Sequence, residues 1–185
     1  MYITQYAISG WGVLFLQKVK DFPLPEATQI IAFSEAFGVA GTVLAGWLSD
    51  VVFRGDRAKP VLFSGLLCLL ALGLFLLTGG GYMINILYVS LFSLFVGVLY
   101  CIVAGLMAVD IVPRKATGAA LGIVGVSSYV AAGIQDIVSG YLIEGNIEAA
   151  SYDFTPAAIF WLSACLLAFV LPVLNWKSMK KQVVE

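Results

Sequence analysis

Pro60-Val61-Leu62-Phe63-Ser64-Gly65-Leu66-Leu67-Cys68-Leu69-Leu70-Ala71-Leu72-Gly73-Leu74-Phe75-Leu76-Leu77 fills residues 60–77 without a charged side chain. A helix needs about 20 largely apolar residues, and at least about 17, to cross the roughly 30 Å hydrocarbon core of a bilayer. This stretch meets that requirement. Arg54, Arg57 and Lys59 precede it, and the uncharged turn Gly79-Gly80-Gly81 follows it. Outward from it, five more segments of the same kind occupy residues 2–17, 27–49, 83–108, 117–143 and 156–176, the first of them short. The expected fold is all-α and integral to the membrane: six transmembrane helices in one domain over residues 1–176, then a cytoplasmic tail at 177–185.

Composition agrees. The chain is 61% hydrophobic and 11% charged, against about 25% charged for a soluble domain, so most of its surface is suited to lipid. A net charge of -1 with no basic stripe excludes nucleic acid as a partner, because phosphate neutralisation needs clustered cations. With no histidine, the chain has no imidazole base, no Ser-His-Asp triad and no histidine-ligated metal. Cys68, Cys101 and Cys165 stand singly in apolar runs without metal-ligand spacing and read as small hydrophobes. Neither enzyme chemistry, nor a metal, nor a cofactor is expected.

Charge sorts the loops. Six spans put the loops after the second and fourth helices and the tail on one side, with Arg54, Arg57, Lys59, Arg114, Lys115, Lys177, Lys180 and Lys181. The other side has Lys18 and Lys20. The positive-inside rule makes the first side cytoplasmic. Met1 runs directly into Tyr2-Ile3-Thr4-Gln5-Tyr6 without the basic opening of a secretory signal, so the first segment reads as a helix that has lost its cytoplasmic lead-in. Small residues at helical spacing, Ser34, Gly38, Gly41, Ala45 and Ser49 on the second helix and Gly118, Gly122 and Gly125 on the fifth, predict close helix crossings.

Two connections carry motifs. Gly46-Trp47-Leu48-Ser49-Asp50-Val51-Val52-Phe53-Arg54-Gly55-Asp56-Arg57-Ala58-Lys59 resembles the loop signature of the major facilitator superfamily. An aspartate at a helix end beside cations in a tight turn can pair with a neighbouring helix in one conformation and release it in another, which makes Gly46, Asp50, Arg54 and Arg57 a candidate gating motif. Asp110-Ile111-Val112-Pro113-Arg114-Lys115-Ala116-Thr117-Gly118 is similar to the signature of the organophosphate:phosphate antiporters within that superfamily, with Asp110, Pro113, Arg114, Lys115 and Gly118 as its marks. The opening residues 2–17 and the run Met107-Ala108-Val109-Asp110 most resemble the hexose-phosphate transporter and sensor branch.

This resemblance aligns the chain with helices seven to twelve of a twelve-helix fold, hence with its C-terminal half. It implies a substrate site at the membrane midplane between two six-helix halves, with phosphate gripped by one arginine from each half. Tyr2 maps next to that site, and the position of the second arginine is Gln5. An amide carries no charge, whereas a guanidinium makes two charge-assisted hydrogen bonds to phosphate. Glu35 and Asp136 lie within spans, where an ionisable group is a candidate functional residue. Glu35 has a counterpart in the family, and Tyr129 matches a tyrosine directed at the central cavity. Gln135, Tyr100 and Asn85 are weaker candidates, while Trp161 and Trp176 are assigned to packing or the interface.

Three readings follow: half of an organophosphate carrier, completed by an N-terminal six-helix half or a second copy; a membrane sensor of extracellular hexose phosphate; or a truncated, non-functional fragment.

Overall fold

The computed structural model describes residues 1–53, 57–110, 112–144 and 152–174, with the backbone alone for Asp50, Glu144 and residues 171–174. Among these residues the chain forms six long helical rods. We label them α1 (Tyr2–Val19), α2 (Leu24–Trp47), α3 (Ala58–Leu77), α4 (Tyr82–Asp110), α5 (Thr117–Glu144) and α6 (Thr155–Leu174). Their ends lie within a helical turn of the predicted spans. Arg54, Gly55, Asp56, Glu148, Trp176 and the predicted tail at 177–185 lie outside the described residues.

Local chemistry sets the boundaries. After α1, Lys20 leaves helical geometry and Asp21 adopts φ 56°, which turns the chain so that the Phe22 N–H reaches the Leu16 carbonyl. Proline in the first turn of α2 loses no hydrogen bond, because that N–H has no helical partner, and Glu26 there complements the helix dipole. Asp153 Oδ1 accepts the Thr155 N–H at 2.9 Å at the start of α6, which holds its carboxyl below the usual carboxylate range.

Two rods contain π-helical turns that hydropathy does not mark. One follows α2 at Leu48–Val52, and the other occupies Tyr100–Met107 within α4.

Four helices among the described residues, α2, α3, α4 and the rod Arg114–Ile143, are long and apolar enough to cross a membrane. α6 is apolar over a shorter stretch, Thr155–Val170. α1 mixes apolar residues with Gln5, Ser9, Gly10, Gly12 and Lys18. It nevertheless packs against α2, α5 and α6, with Ala7, Ile8, Phe15 and Leu16 buried.

α2 and α4 make the closest pair. A methyl added at Gly41 would overlap the Leu94 carbonyl, and one added at Gly97 would overlap the Gly38 carbonyl. Ser34, Ala45 and Ser49 on the same stripe are buried, so the expected close crossing of the second helix is present. The expectation for the fifth helix is corrected: nothing among the described residues comes within 4 Å of an added Cβ at Gly118, Gly122 or Gly125. α5 instead packs through Ser128, Ala132, Gln135, Ser139 and Ile143, which are all buried. Its glycines fall on the adjacent stripe with Tyr129, which is 72% exposed.

Gln135 donates to Ser139 Oγ, and the Trp161 indole N–H donates to the same oxygen, both at 2.8 Å. Trp161 is thus a packing residue, as expected. Gln135 is committed to the α5–α6 contact and does not join a cavity-facing group. Cys68 and Cys165 are free and buried, and line one cavity between α3 and α6.

Lys20 departs most from its sequence reading as a loop cation. Its ammonium turns in toward the helix ends, donates to the Phe75 carbonyl and to Asn85 Oδ1 at 2.5 Å each, and lies 4.3 Å from the Phe75 ring centroid. Asn85, a weak candidate for ligand contact, is 1% exposed and occupied by this role. Desolvation pushes the Lys20 ammonium down to about 8 from the model-compound value of 10.5. The unfolded chain therefore binds more protons between these two values, so stability should rise with pH across that window. The penalty is fully present below about 8. Thermal unfolding in detergent should show this rise from pH 8 to 10, and Lys20→Met should flatten it; equal slopes for both proteins would show that Lys20 does not titrate in this window.

Candidate functional site

Polar side chains inside an oily bundle must find partners, and α1 presents several on one exposed edge. Gln5 and Ser9 are one helical turn apart, so their side chains stack along the face turned toward α2. Ser9 donates to Glu35 Oε1 at 2.6 Å, and Gln5 Nε2 donates to Ser9 Oγ at 3.3 Å and to Glu35 Oε1 at 3.4 Å. A carboxylate on α2 thus gathers two α1 side chains.

This triad opens on a cavity of about 190 Å³ between α1, α2 and α4, lined by Gln5, Glu35, Thr42, Ser93, Val96 and Tyr100 among others. Gly38 and Gly97, at the tight α2–α4 crossing, also line it. Tyr100, at the start of the π-helical turns of α4, lines this cavity, and its buried hydroxyl has no hydrogen-bond partner among the described residues. Tyr2 stacks on Tyr100 with ring centroids 4.4 Å apart.

The five residues expected at the substrate site therefore divide. Gln5 and Glu35 meet directly, and Tyr2 abuts their cavity through Tyr100. Tyr129 and Asp136 lie on α5, across α1 from that cavity; both are exposed, and Asp136 Oδ1 is 3.6 Å from where a Cβ on Gly10 would stand. One polar edge of α1 thus has a carboxylate on each flank. Sequence reasoning missed Ser9, Thr42 and Ser93. Ser9 was legible from its i+4 spacing to Gln5, but single hydroxyls in the apolar runs of α2 and α4 read as filler.

The two motifs meet at one end of the bundle. Arg57 Nε pairs with Asp110 Oδ2 at 2.9 Å, with the side chains 25% and 51% exposed. This joins the candidate gating motif to the second signature. Pro113 starts a short turn in which Ala116 N–H donates to its carbonyl, and Arg114 and Lys115 are exposed. Nothing among the described residues comes within 4 Å of an added Cβ at Gly46, Arg54 lies outside the described residues, and Asp50 is described by its backbone alone. Exposed pairs contribute about 0.2–1 kcal/mol. A double-mutant cycle with Arg57→Gln and Asp110→Asn should give a coupling in that range that shrinks with added salt; a coupling near zero at low salt would mean that the pair is idle.

Residues 1–134 match the Major Facilitator Superfamily. The chain is 28% identical over 184 residues to the glycerol-3-phosphate transporter of Bacillus subtilis, covering 98% of this chain and 40% of that protein. It is 35% identical over 137 residues to the hexose-6-phosphate:phosphate antiporter of Escherichia coli, covering 70% of this chain and 27% of that protein. It is 27% identical over 176 residues to the membrane sensor protein UhpC of Salmonella typhimurium, covering 95% and 38%. The chain thus spans at most about 40% of the length of these curated relatives. The apolar helices agree with an integral membrane protein, and the chain belongs to the Major Facilitator Superfamily, within its organophosphate:phosphate antiporter family.

Proposed function

We propose that this chain is the C-terminal six-helix half of a carrier that moves a phosphorylated sugar or related organophosphate, in exchange for phosphate, across a bacterial inner membrane. The observation that carries this reading is the Gln5–Ser9–Glu35 triad on a cavity between α1, α2 and α4, in a chain whose relatives are named as organophosphate transporters. Two inverted-repeat halves rocking about a midplane site are the usual design of such carriers. In this reading α1 and α6 span with the other four helices, and α1 is less apolar because one edge faces the polar cavity. The Arg57–Asp110 end and the C-terminus face the cytoplasm, consistent with the sorting of cations. Arg57, Asp110, Arg114 and Lys115 then belong to the cytoplasmic gate.

A partner fits the uncovered stripe of α5. Gly118, Gly122, Gly125 and Gly133 carry no neighbour among the described residues, while Tyr129 and Asp136 share their face. Left in lipid, an exposed carboxylate such as Asp136 is costly. An N-terminal six-helix half, from the same gene or a separate chain, or a second copy would cover it.

A sensor of extracellular hexose phosphate is the second reading, favoured by the uncharged Gln5 where a phosphate-binding arginine is expected and by the sensor proteins among the relatives. The complete gene product in phosphate-loaded proteoliposomes separates the two. Exchange of labelled organophosphate for internal phosphate supports the carrier, binding without exchange supports the sensor, and the absence of both would overturn both readings.

A further inference from the structure

We infer that the cavity between α1, α2 and α4 takes the hydroxyl-bearing end of the substrate and excludes its phosphate. This rests on the organophosphate reading above and names which end of the ligand this half recognises.

The argument is one of hydrogen-bond valence. Gln5 Nε2 reaches Ser9 Oγ and Glu35 Oε1 in one direction, since these two oxygens lie 2.6 Å apart, so the pair shares one amide hydrogen. The reverse amide orientation would place Gln5 Oε1 3.4 Å from a carboxylate oxygen, so the orientation is fixed by charge. Gln5 Oε1 is then left as a buried acceptor without a partner. Glu35 is also acceptor-only, and its second oxygen takes no hydrogen bond among the described residues.

On the opposite wall Ser93, 1% exposed, has an unpartnered Oγ, as does Tyr100 at its hydroxyl. A buried polar atom without a partner costs about 1–3 kcal/mol, so these groups together favour an occupant that satisfies them. One Gln5 amide hydrogen remains to give, but the unmet demand at Gln5 Oε1 and Glu35 is for donors. A phosphate dianion offers none and would meet the Glu35 carboxylate with no lysine or arginine lining the cavity. Sugar or glycerol hydroxyls donate to Gln5 Oε1 and Glu35, and accept from Ser93 and Tyr100. The Val96 wall suits the C–H faces of a polyol. The volume of about 190 Å³ is far above the roughly 10–15 Å³ that admits one water.

The test is equilibrium binding to the complete gene product in lipid nanodiscs, with sn-glycerol 3-phosphate, methyl phosphate, O-phosphoethanolamine and D-glucose as probes. Glycerol 3-phosphate and methyl phosphate share the phosphate ester and differ in the hydroxyls. Wild type should prefer glycerol 3-phosphate by tenfold or more, and Glu35→Gln and Ser93→Ala should each reduce that ratio fivefold or more. A ratio that survives both substitutions overturns the inference, as does an equal tightening of both esters in Glu35→Gln, which would put the phosphate in this cavity. Tighter binding of O-phosphoethanolamine than of glycerol 3-phosphate overturns the hydroxyl assignment in favour of an ammonium. If no phosphate ester binds, the organophosphate reading falls. Glu35-dependent binding of D-glucose would then uphold the cavity assignment, and its absence would remove that too.

Discussion

Gly41→Ala should largely abolish recovery of folded protein. At Gly41 an added methyl would overlap the Leu94 carbonyl, a backbone atom inside α4 that no side-chain rotation can move aside. Overpacking costs about 1–3 kcal/mol where neighbours can adjust, and more where backbone must shift. Here α2 and α4 must separate along their whole crossing, which also opens the reciprocal contact of Gly97 with the Gly38 carbonyl. Helix association in lipid depends on such close packing, because hydrocarbon supplies no hydrophobic drive between helices. Gly73→Ala is the matched control: nothing among the described residues comes within 4 Å of its added Cβ, and alanine gains up to about 1 kcal/mol of helix propensity over glycine. Size-exclusion recovery and thermal unfolding of the two variants in the same detergent check the contrast. Equal behaviour would mean that the α2–α4 crossing is looser than described.

Gln5→Arg should do little to phosphate affinity by itself, and much once Glu35 is neutralised. From sequence alone, restoring a guanidinium at Gln5 would be expected to strengthen phosphate-ester binding directly. The structure changes that expectation, because Gln5 Nε2 lies 3.4 Å from Glu35 Oε1. A guanidinium there would pair with the carboxylate and spend its charge internally. With Glu35→Gln present as well, the guanidinium is free to take phosphate. Hydrogen bonds to charged groups contribute about 1.5–3 kcal/mol, so affinity for methyl phosphate or inorganic phosphate should rise roughly ten- to a hundredfold in the double variant at about 1.4 kcal/mol per decade. Binding measured on the complete gene product for both single variants and the double provides the cycle. A full gain in Gln5→Arg alone would show that Glu35 does not hold this position in the ligand-free protein.

The fate of single residues shows where sequence reading stopped. Sequence marks Glu35 and Gln5 separately, one as an intramembrane carboxylate and one as a missing arginine, and their direct contact depends on how α1 crosses α2. The glycines of α5 matched the same pattern as those of α2, yet only the α2 set meets a neighbour. Periodicity says that a face is smooth, while the arrangement of helices decides what lies against it. Lys20 was read as a loop cation by its position after a helix end. Its four-carbon stem carries the charge back over Phe75, which no local rule reports.

Consecutive residues were enough for the membrane class and the family, because uninterrupted apolar length and loop motifs are local properties. The packed bundle was needed to show which polar groups share a cavity, which small-residue stripe is buried, and that Arg57 of one motif holds Asp110 of the other. Those facts depend on the rotation and crossing of each helix against the others, set by packing between residues far apart in the chain, and hydrophobic patterning along one helix leaves that choice open.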